Sequence, residues 1–302
     1  MAMTTATKLK LHTMLGNYAN TQPLKSGAVK SDLVDFDFAE VKVANTLFKS
    51  VVRDAKYDVA ELAIVTYLQA KSFNKPYVLI PAVVVSRGQH HTIAYNGERG
   101  TLKPTELNGK RVGVRAYTVT TGCWLRGILA SDYGIDIDSI EWITFEDPHV
   151  AEFHDPALVK RAPAGKDMVQ MLLDGELDAA IVGDKLPDPR LKYLIPDHEA
   201  AAKRWAERHG GVPINHMVVV REALSRSHPG AVREVFRKLH DSKRAAGFAD
   251  GVPLDPYRFG VEACRPILEI IIDFCHRQKL IERRIAVDEL FDDTTRALKI
   301  GG

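Results

Sequence analysis

Residues 111–133 read RVGVRAYTVTTGCWLRGILASDY, and this stretch decides the fold. The run RVGV predicts a strand buried on both faces, and the stretch from about Trp124 to Tyr133 predicts a helix. Between them lies a turn rich in threonine that ends at Gly122. A strand, a turn and a helix in this order predict one half of a βαβ unit.

The sequence after this stretch completes the unit. Strand IEWITF (140–145), a helix over 167–174 and strand DAAIVG (178–183) follow in turn. A βαβαβ order predicts parallel strands in one sheet, joined by right-handed crossovers. We therefore expect a self-contained lobe that begins near residue 111.

The rest of the chain predicts a second lobe. The elements predicted outside the βαβαβ unit are strands at 8–15, 57–62, 77–87 and 213–221, a short strand entering a helix at 41–50, and helices at 63–72, 198–209, 223–245 and 258–279. Crossings near 108–112 and 213–220 divide the chain into lobe 1 (1–110 and 219–302) and lobe 2 (111–218). The expected fold class is α/β, with two lobes, C-terminal helices and a ligand cleft between the lobes at the strand ends.

The composition excludes several classes of partner. The 302 residues carry 41 Lys and Arg against 39 Asp and Glu, a net charge of +2, without a basic cluster to neutralise a nucleic-acid backbone. The start MAMTTATKLKLHTML lacks the apolar core of a secretory signal, and the apolar run 78–85 is too short to cross a membrane. The three cysteines lack CxxC spacing and fit a reducing compartment. We expect a cytoplasmic protein without a membrane or nucleic-acid partner.

The turn after the strand at 111–114 is the strongest candidate binding site. Helix N-termini present unpaired N–H groups to anions, and an arginine can grip a carboxylate through two hydrogen bonds. The candidate substrate-binding residues of this turn are Arg115, Tyr117, Thr118, Thr120 and Thr121. The alternative is that one threonine only caps the helix while Arg115 forms a surface salt bridge.

Polar residues also follow two strands of the predicted first lobe. Asn17 lies in a turn at the end of the first strand, Arg87 ends the strand at 77–87, and His90 and His91 follow it. Adjacent side chains of an extended chain point to opposite sides, so this histidine pair is a poor metal site. Arg87 and His90 could hold a carboxylate or supply a proton; otherwise they belong to a solvated hairpin edge.

Four further ionisable residues lie near predicted strand ends. They are Glu61 at a strand-to-helix junction, His149 after IEWITF, Asp184 after DAAIVG, and His216 near the second crossing. Each is a candidate acid or base, although a hydrogen-bonded structural role is the alternative for His216. Their spacing matches no dedicated zinc motif, so we expect no metal.

Six segments together resemble the 4,5-dihydroxyphthalate decarboxylase family. They are YDVAELAIVTYLQAKSFNKPYVLIPAVV (57–84), QHHTIAYN (89–96), GKRVGVRAYTVTTG (109–122), FEDPHVAEF (145–153), GKDMVQMLLDGELDAAIVGD (165–184) and PINHMVVVR (213–221). The resemblance implies the type II periplasmic-binding-protein fold in a cytoplasmic enzyme that uses no organic cofactor.

The reaction implied by the resemblance is the loss of one carboxylate from 4,5-dihydroxyphthalate, which gives protocatechuate and carbon dioxide. The substrate would be its own electron sink, because a hydroxyl lies para to the departing carboxylate. In that reaction we expect Arg87 and Arg115, aided by Thr120 and Thr121, to hold the two carboxylates.

The proton donor stays open among His90, His149 and His216, with Glu61 or Asp184 fixing its tautomer or contacting a phenol. Two other functions also stay open. One is a non-catalytic small-acid-binding protein of the same fold, used in transport or sensing. The other is a decarboxylase for a different hydroxylated aromatic diacid. The apolar C-terminal helices could support a homodimer.

Overall fold

Eleven strands form within residues 7–301, the part of the chain that the computed structural model describes. They are β1 (Leu9–Met14), β2 (Val34–Phe38), β3 (Val59–Ala63), β4 (Tyr77–Ser86), β5 (Ile93–Asn96), β6 (Arg111–Val114), β7 (Glu141–Thr144), β8 (Val159–Arg161), β9 (Ala179–Ile181), β10 (Leu191–Tyr193) and β11 (Ile214–Arg221).

Ten α-helices accompany the strands in the same part of the chain. They are α1 (Gln22–Lys25), α2 (Phe48–Asp54), α3 (Ile64–Ser72), α4 (Thr120–Tyr133), α5 (Met168–Asp174), α6 (His198–His209), α7 (Glu222–Ser227), α8 (Pro229–Ala245), α9 (Val261–Arg277) and α10 (Asp293–Arg296). None of the helices within residues 7–301 is long and apolar enough to cross a membrane.

The strands form two sheets. The first has the order β2-β1-β3-β11-β4, with β1 parallel to β2 and β3, and with β11 antiparallel to both of its neighbours. The second has the order β10-β5-β9-β6-β7-β8. In it β6 lies parallel to β7 and β9, which confirms the parallel strands predicted for the βαβαβ unit.

The C-terminal helices complete the cores of both sheets. In α8, Val232, Val235 and Phe236 share one face and pack in one cluster with the first-sheet strand residues Val218 and Val220. Each such fully buried side chain contributes about 2 kcal/mol through the hydrophobic effect. Helix α9 instead contacts α3 and α4, so it joins the two halves of the molecule.

The chain passes from one sheet to the other at positions that differ from the predicted lobe boundaries. The short strand β5 pairs with β9 and β10, so the chain enters the second sheet after Ser86 and not at 110/111. It returns with Ile214 at the start of β11, and a boundary at 218/219 would cut this strand. The four residues of β5 are too few to show a strand pattern, which is why the first crossing was predicted late.

Several predicted elements differ in detail. No strand forms at 41–50, where a short 3-10 turn leads into α2, and four strands, β2, β5, β8 and β10, were not predicted. The helix expected at 223–245 is two helices separated at His228, because the following Pro229 disfavours a helical conformation of the residue before it. Helix α4 begins at Thr120, four residues before the predicted start at about Trp124.

Candidate active site

A cavity of about 340 Å³ lies between the two sheets, where β3, β4, β6 and β11 approach one another. Its lining comes from both sheets and from the segment before α2. The lining residues are Tyr18, Val43, Ala44, Asn45, Phe48, Ala63, Val85, Arg87, Arg115, Val119, Thr120, Thr121, His149, Asp184, Asn215 and His216. The cavity therefore occupies the predicted cleft, and it is large enough for a single-ring aromatic acid.

A histidine and a buried carboxylate form the centre of one wall. His216 Nδ1 lies 2.5 Å from Glu61 Oε1, and the Tyr18 hydroxyl donates to the same oxygen at 2.6 Å. The backbone N–H of Gly16 donates to Oε2 at 2.6 Å, and Glu61 is 0% exposed. Because Glu61 holds Nδ1, the Nε2 atom is the ring nitrogen of His216 that is left for a ligand.

Strand pairing brings these two residues together across 155 positions of sequence. In the antiparallel pair β3–β11, His216 lies opposite Ala63 and Val218 lies opposite Glu61. Glu61 and His216 are therefore diagonal neighbours on one face of the sheet. The pairing of β11 with β4 is irregular from Ile214 to Val218, and such bulges commonly redirect side chains beside functional sites.

The loop after β1 covers the buried carboxylate. A Cβ atom at Gly16 would lie 2.5 Å from the Tyr18 ring, so a residue without a side chain is needed for Tyr18 to fold over Glu61. Burial, together with the Glu61 carboxylate, raises the pKa of the Tyr18 phenol above its usual range. Tyr18 therefore stays a neutral hydrogen-bond donor to Glu61.

Two helices begin at the cavity. Ala63, which precedes α3, and Thr120 and Thr121, which begin α4, all line it. The N–H of Val65 donates to the Thr120 hydroxyl at 3.2 Å, which ties the two helix starts together. Unpaired N–H groups and the helix dipole make this part of the cavity favourable for anions.

Two arginines lie at the cavity on ends of strands from different sheets. Arg87 follows β4 and forms an ion pair with Asp184, while one of its Nη atoms lies 3.4 Å from the Thr121 hydroxyl. Arg115 follows β6 and pairs with Glu146 at 3.1 Å. Burial lowers the pKa of Arg87, and its buried Nε has no hydrogen-bond partner within residues 7–301. Each guanidinium could exchange its acid partner for a ligand carboxylate.

A second histidine on the cavity has a different environment. His149 Nδ1 lies 2.8 Å from the Thr66 hydroxyl, and no acid pairs with it in the described residues. Burial, helped by the nearby Arg115 charge, lowers the pKa of His149 to about 3. The ring of Phe48 meets the rings of His149 and His216 edge-on, at centroid distances of 5.6 and 5.2 Å. His149 is therefore neutral at physiological pH.

The structure brings eight of the predicted site residues together and places four elsewhere. Glu61, Arg87, Arg115, Thr120, Thr121, His149, Asp184 and His216 lie at the cavity or hydrogen-bond to a residue that lines it. Asn17, Tyr117, Thr118 and His90 do not line the cavity.

The four residues outside the cavity each have a physical reason for their position. Asn17 is exposed, and its amide donates to the Val41 carbonyl at 2.9 Å. Tyr117 and Thr118 are buried below the turn. His90 is buried in a segment that contacts α4 and α6, where burial lowers its pKa to about 4. Adjacency in sequence to a strand end did not determine which way these side chains point.

Sequence reasoning missed two residues that shape the site. Tyr18 follows Asn17, which was predicted to bind substrate. Gly16, which precedes Asn17, was the signal for a tightly folded loop. Phe48 lies in a stretch where a strand was expected, so its role could not be seen. Within residues 7–301, no group of three or more His, Cys, Asp or Glu side chains forms a metal-binding cluster.

Solved structures establish the fold. The periplasmic aliphatic sulphonate binding protein SsuA of Escherichia coli has a TM-score of 0.59 at 10% identity, over 95% of this chain and 92% of that one. The alkanesulfonate-binding SsuA of Xanthomonas axonopodis pv. citri, bound to MOPS, gives 0.56 at 12% identity, over 94% and 98%. A mutant of DSZB in complex with biphenyl-2-sulfinic acid gives 0.55 at 15%, over 95% and 97%. The chain has the predicted two-lobed, periplasmic-binding-protein-like fold.

No family model matches the sequence, but curated relatives do. A 4,5-dihydroxyphthalate decarboxylase of Comamonas testosteroni is 31% identical over 253 residues, which covers 79% of this chain and 76% of the relative. A second, from Pseudomonas putida, is 32% identical over 213 residues, covering 66% and 81%. This chain belongs to the 4,5-dihydroxyphthalate decarboxylase family.

Proposed function

We propose that this chain decarboxylates 4,5-dihydroxyphthalate to protocatechuate and carbon dioxide, without an organic cofactor. The observation that carries the proposal is one small cavity that presents a carboxylate-bound histidine, His216, and two arginines, Arg87 and Arg115. That combination fits a substrate with two carboxylates and a carbon atom that must be protonated. Membership of a family whose curated relatives are named for this reaction supports the same substrate.

The chemistry needs only acid–base groups. A proton is added to the ring carbon that carries the departing carboxylate, while the hydroxyl para to that carbon donates electron density to the ring. The bond to the carboxylate then breaks, its electron pair restores the aromatic ring, and carbon dioxide leaves. The added proton stays on the ring carbon, so one proton is consumed for each carbon dioxide released.

The arginines and the α4 N-terminus hold the carboxylates. Arg87 and Arg115 approach the cavity from different sheets, so a substrate with two adjacent carboxylates can contact both. Thr120 and Thr121, at the start of α4, line the same cavity. Charge-assisted and bidentate hydrogen bonds of this kind fix the ring in one orientation before the proton is transferred.

The proton comes from His216. Its Nδ1 is bound to Glu61, which fixes the ring orientation, and Nε2 is left to face the substrate. His149 and His90 are weaker candidates, because burial keeps each neutral at physiological pH and His90 lies outside the cavity. Neutral His149, held by Thr66, is suited instead to contact a substrate hydroxyl.

A direct assay tests the proposal. The purified chain is incubated with 4,5-dihydroxyphthalate, protocatechuate is followed by ultraviolet absorbance, and released carbon dioxide is captured. Phthalate, which lacks the hydroxyls, is expected to bind without losing carbon dioxide. A panel of hydroxylated benzoates and isophthalates tests the alternative that the chain decarboxylates a different hydroxylated aromatic acid. A chelator control tests for a metal. Tight binding of 4,5-dihydroxyphthalate without turnover would overturn the proposal.

The non-catalytic alternative is not favoured, because the curated relatives are named as decarboxylases. The cytoplasmic location is part of the proposal and is supported by Cys123, Cys264 and Cys275, which are all free thiols. Fractionation of the native host would test it. The proposed homodimer is tested by light scattering, which would give twice the chain mass of 33.6 kDa.

A further inference from the structure

An arginine lies completely buried behind the anion-binding wall of the cavity. Arg126 is on the second turn of α4 and is 0% exposed. Its hydrogen-bond partners in residues 7–301 are neutral, and the carboxylate of Asp155 interacts with its charge only over a longer distance. Buried charges in proteins are nearly always paired, because removing a charge from water is costly. An unpaired buried cation at this position therefore calls for a reason.

Neutral groups hold the guanidinium in place. One Nη atom donates to the Tyr117 carbonyl at 2.6 Å, and Nε donates to the Gln278 side-chain oxygen at 2.7 Å. Gln278 in turn donates to the Cys123 carbonyl at 2.9 Å. The guanidinium carbon lies 3.9 Å from the centre of the Tyr117 ring, and the Trp142 ring follows at 5.2 Å. These contacts fix the cation in space, and none of them supplies a negative charge.

The same contacts connect Arg126 to the segment that lines the cavity. Tyr117 lies between Arg115 and Thr121, both of which line it. The other Nη atom has no hydrogen-bond partner in the described residues, and it lies 3.1 Å from where a Cβ atom of Gly122 would stand. The positive charge is therefore packed against the first turn of α4.

We propose that Arg126 is a positioning residue for segment 115–121, and that its buried charge makes the cleft prefer dianions to monoanions. The hydrogen bond to Tyr117 holds the turn that presents Arg115 and the start of α4. The charge adds to the positive end of the helix dipole, and the protein interior screens it far less than water would. This inference rests on the proposed diacid substrate.

Binding of two unreactive ligands separates this role from a general effect on folding. Phthalate is a dianion and benzoate is a monoanion at neutral pH, and calorimetry gives the dissociation constant of each. Arg126→Met is expected to weaken phthalate binding about 30-fold and benzoate binding about threefold. Arg126→Lys keeps the charge and is expected to keep the preference for phthalate. An equal loss for both ligands in Arg126→Met, or no loss, would overturn the inference.

A second pair of variants keeps Arg126 in place and compares the presence and absence of a negative charge beside it. Gln278→Glu puts a carboxylate beside Nε and loses only the donor to the Cys123 carbonyl, while Gln278→Leu removes both hydrogen bonds and adds no charge. We expect Gln278→Glu to weaken phthalate binding about tenfold more than Gln278→Leu does. Equal dissociation constants for the two variants would contradict a role for the charge.

The control is Arg111→Met, at the opposite end of β6 from the cavity, where Arg111 pairs with Asp178. It is expected to leave the ratio of the two dissociation constants unchanged. Because neither ligand reacts, the ratio can be measured even if 4,5-dihydroxyphthalate is not turned over. Failure of the proposed function and failure of this inference are therefore distinguishable.

Discussion

One wall of the cavity carries a histidine bound to a buried carboxylate, whereas the other carries a histidine bound to a hydroxyl. The first-sheet wall (Glu61, Arg87 and His216) pairs His216 with Glu61 at 2.5 Å. The second-sheet wall (Arg115, Thr121 and His149) holds His149 against the hydroxyl of Thr66, and burial lowers its pKa to about 3. The same residue type is thus bound to a carboxylate on one wall and kept neutral by burial on the other.

This difference suggests a division of labour. The first-sheet wall is suited to proton transfer, and the second-sheet wall, with the start of α4 and the buried Arg126 behind it, is suited to hold negative charge. Substitutions on the first should lower kcat, and substitutions on the second should raise KM. Arg87, which is on the first wall but contacts Thr121, is expected to share in binding.

The largest effect is expected for His216→Asn. Removal of the proton donor should lower kcat about 1000-fold, because general acid catalysis typically contributes about 100-fold to 10,000-fold. KM should change less than about threefold, since the arginines remain. Steady-state kinetics measure both values. The matched control is His276→Asn, an exposed histidine of α9, which should behave as the unmodified chain. If the kcat of His216→Asn is near that of the unmodified chain, His216 is not the proton donor.

The next effect is expected for Arg115→Met on the opposite wall. Loss of a charge-assisted, bidentate contact should raise KM about 30-fold and leave kcat within about threefold. The same kinetic assay measures it. Arg283→Met, an exposed arginine that pairs with Glu289, serves as the control. A fall in kcat with unchanged KM would mean that the two walls do not differ as described.

A smaller effect concerns stability against acid. The folded-state pKa values of His149 and His90 are about 3 and about 4, below the ordinary 6.5. Between these limits the unfolded chain binds more protons than the folded one, so stability is complete above about pH 6.5 and falls as the pH falls. Each of the two histidines should lower the free energy of unfolding by about 3 kcal/mol at about pH 4.5.

Chemical denaturation of His149→Asn across this pH range measures the effect. The variant should show a flatter acid limb than the unmodified chain, whereas the exposed control His276→Asn should not. An unchanged limb in His149→Asn would show that His149 titrates normally in the folded protein.

The smallest effect is expected for Asp184→Asn. Asp184 pairs with Arg87, so a substrate carboxylate must compete with it for the guanidinium. Removing its charge should tighten phthalate binding about threefold, within the range of exposed ion pairs, and leave kcat unchanged. Calorimetry and kinetics measure the two quantities. A strong fall in kcat would instead support the alternative in which Asp184 acts on a phenol.

Much of the scaffold could be predicted from sequence because its signals are local. The apolar runs of β4, β6 and β11 mark buried strands without reference to the rest of the chain, and the strand-turn-helix pattern at Arg115 predicts that this turn lies at the cleft. Edge strands such as β8 and β10 have three residues each, which is too few for a pattern. The passage of the chain into the second sheet at β5 could not be predicted for the same reason.

The pairing of groups inside the site could not be predicted. Glu61 and His216 meet only through the register of β3 and β11, which no local pattern encodes. His90 and His149 both follow strands, and only burial and neighbours in space separate them. Arg126 was not singled out, because an arginine within a helix ordinarily extends into solvent. What sequence could not supply was the direction in which each side chain points.

The division of labour between the walls is tested most directly by single-turnover kinetics of His216→Asn and Arg115→Met, each mixed with 4,5-dihydroxyphthalate after its dissociation constant has been measured by calorimetry. We predict that His216→Asn binds with a dissociation constant within about threefold of the unmodified chain and forms protocatechuate about 1000-fold more slowly. Arg115→Met should bind about 30-fold more weakly and, once saturated, react at nearly the unmodified rate. Weak binding by His216→Asn, or slow chemistry in saturated Arg115→Met, would contradict the account.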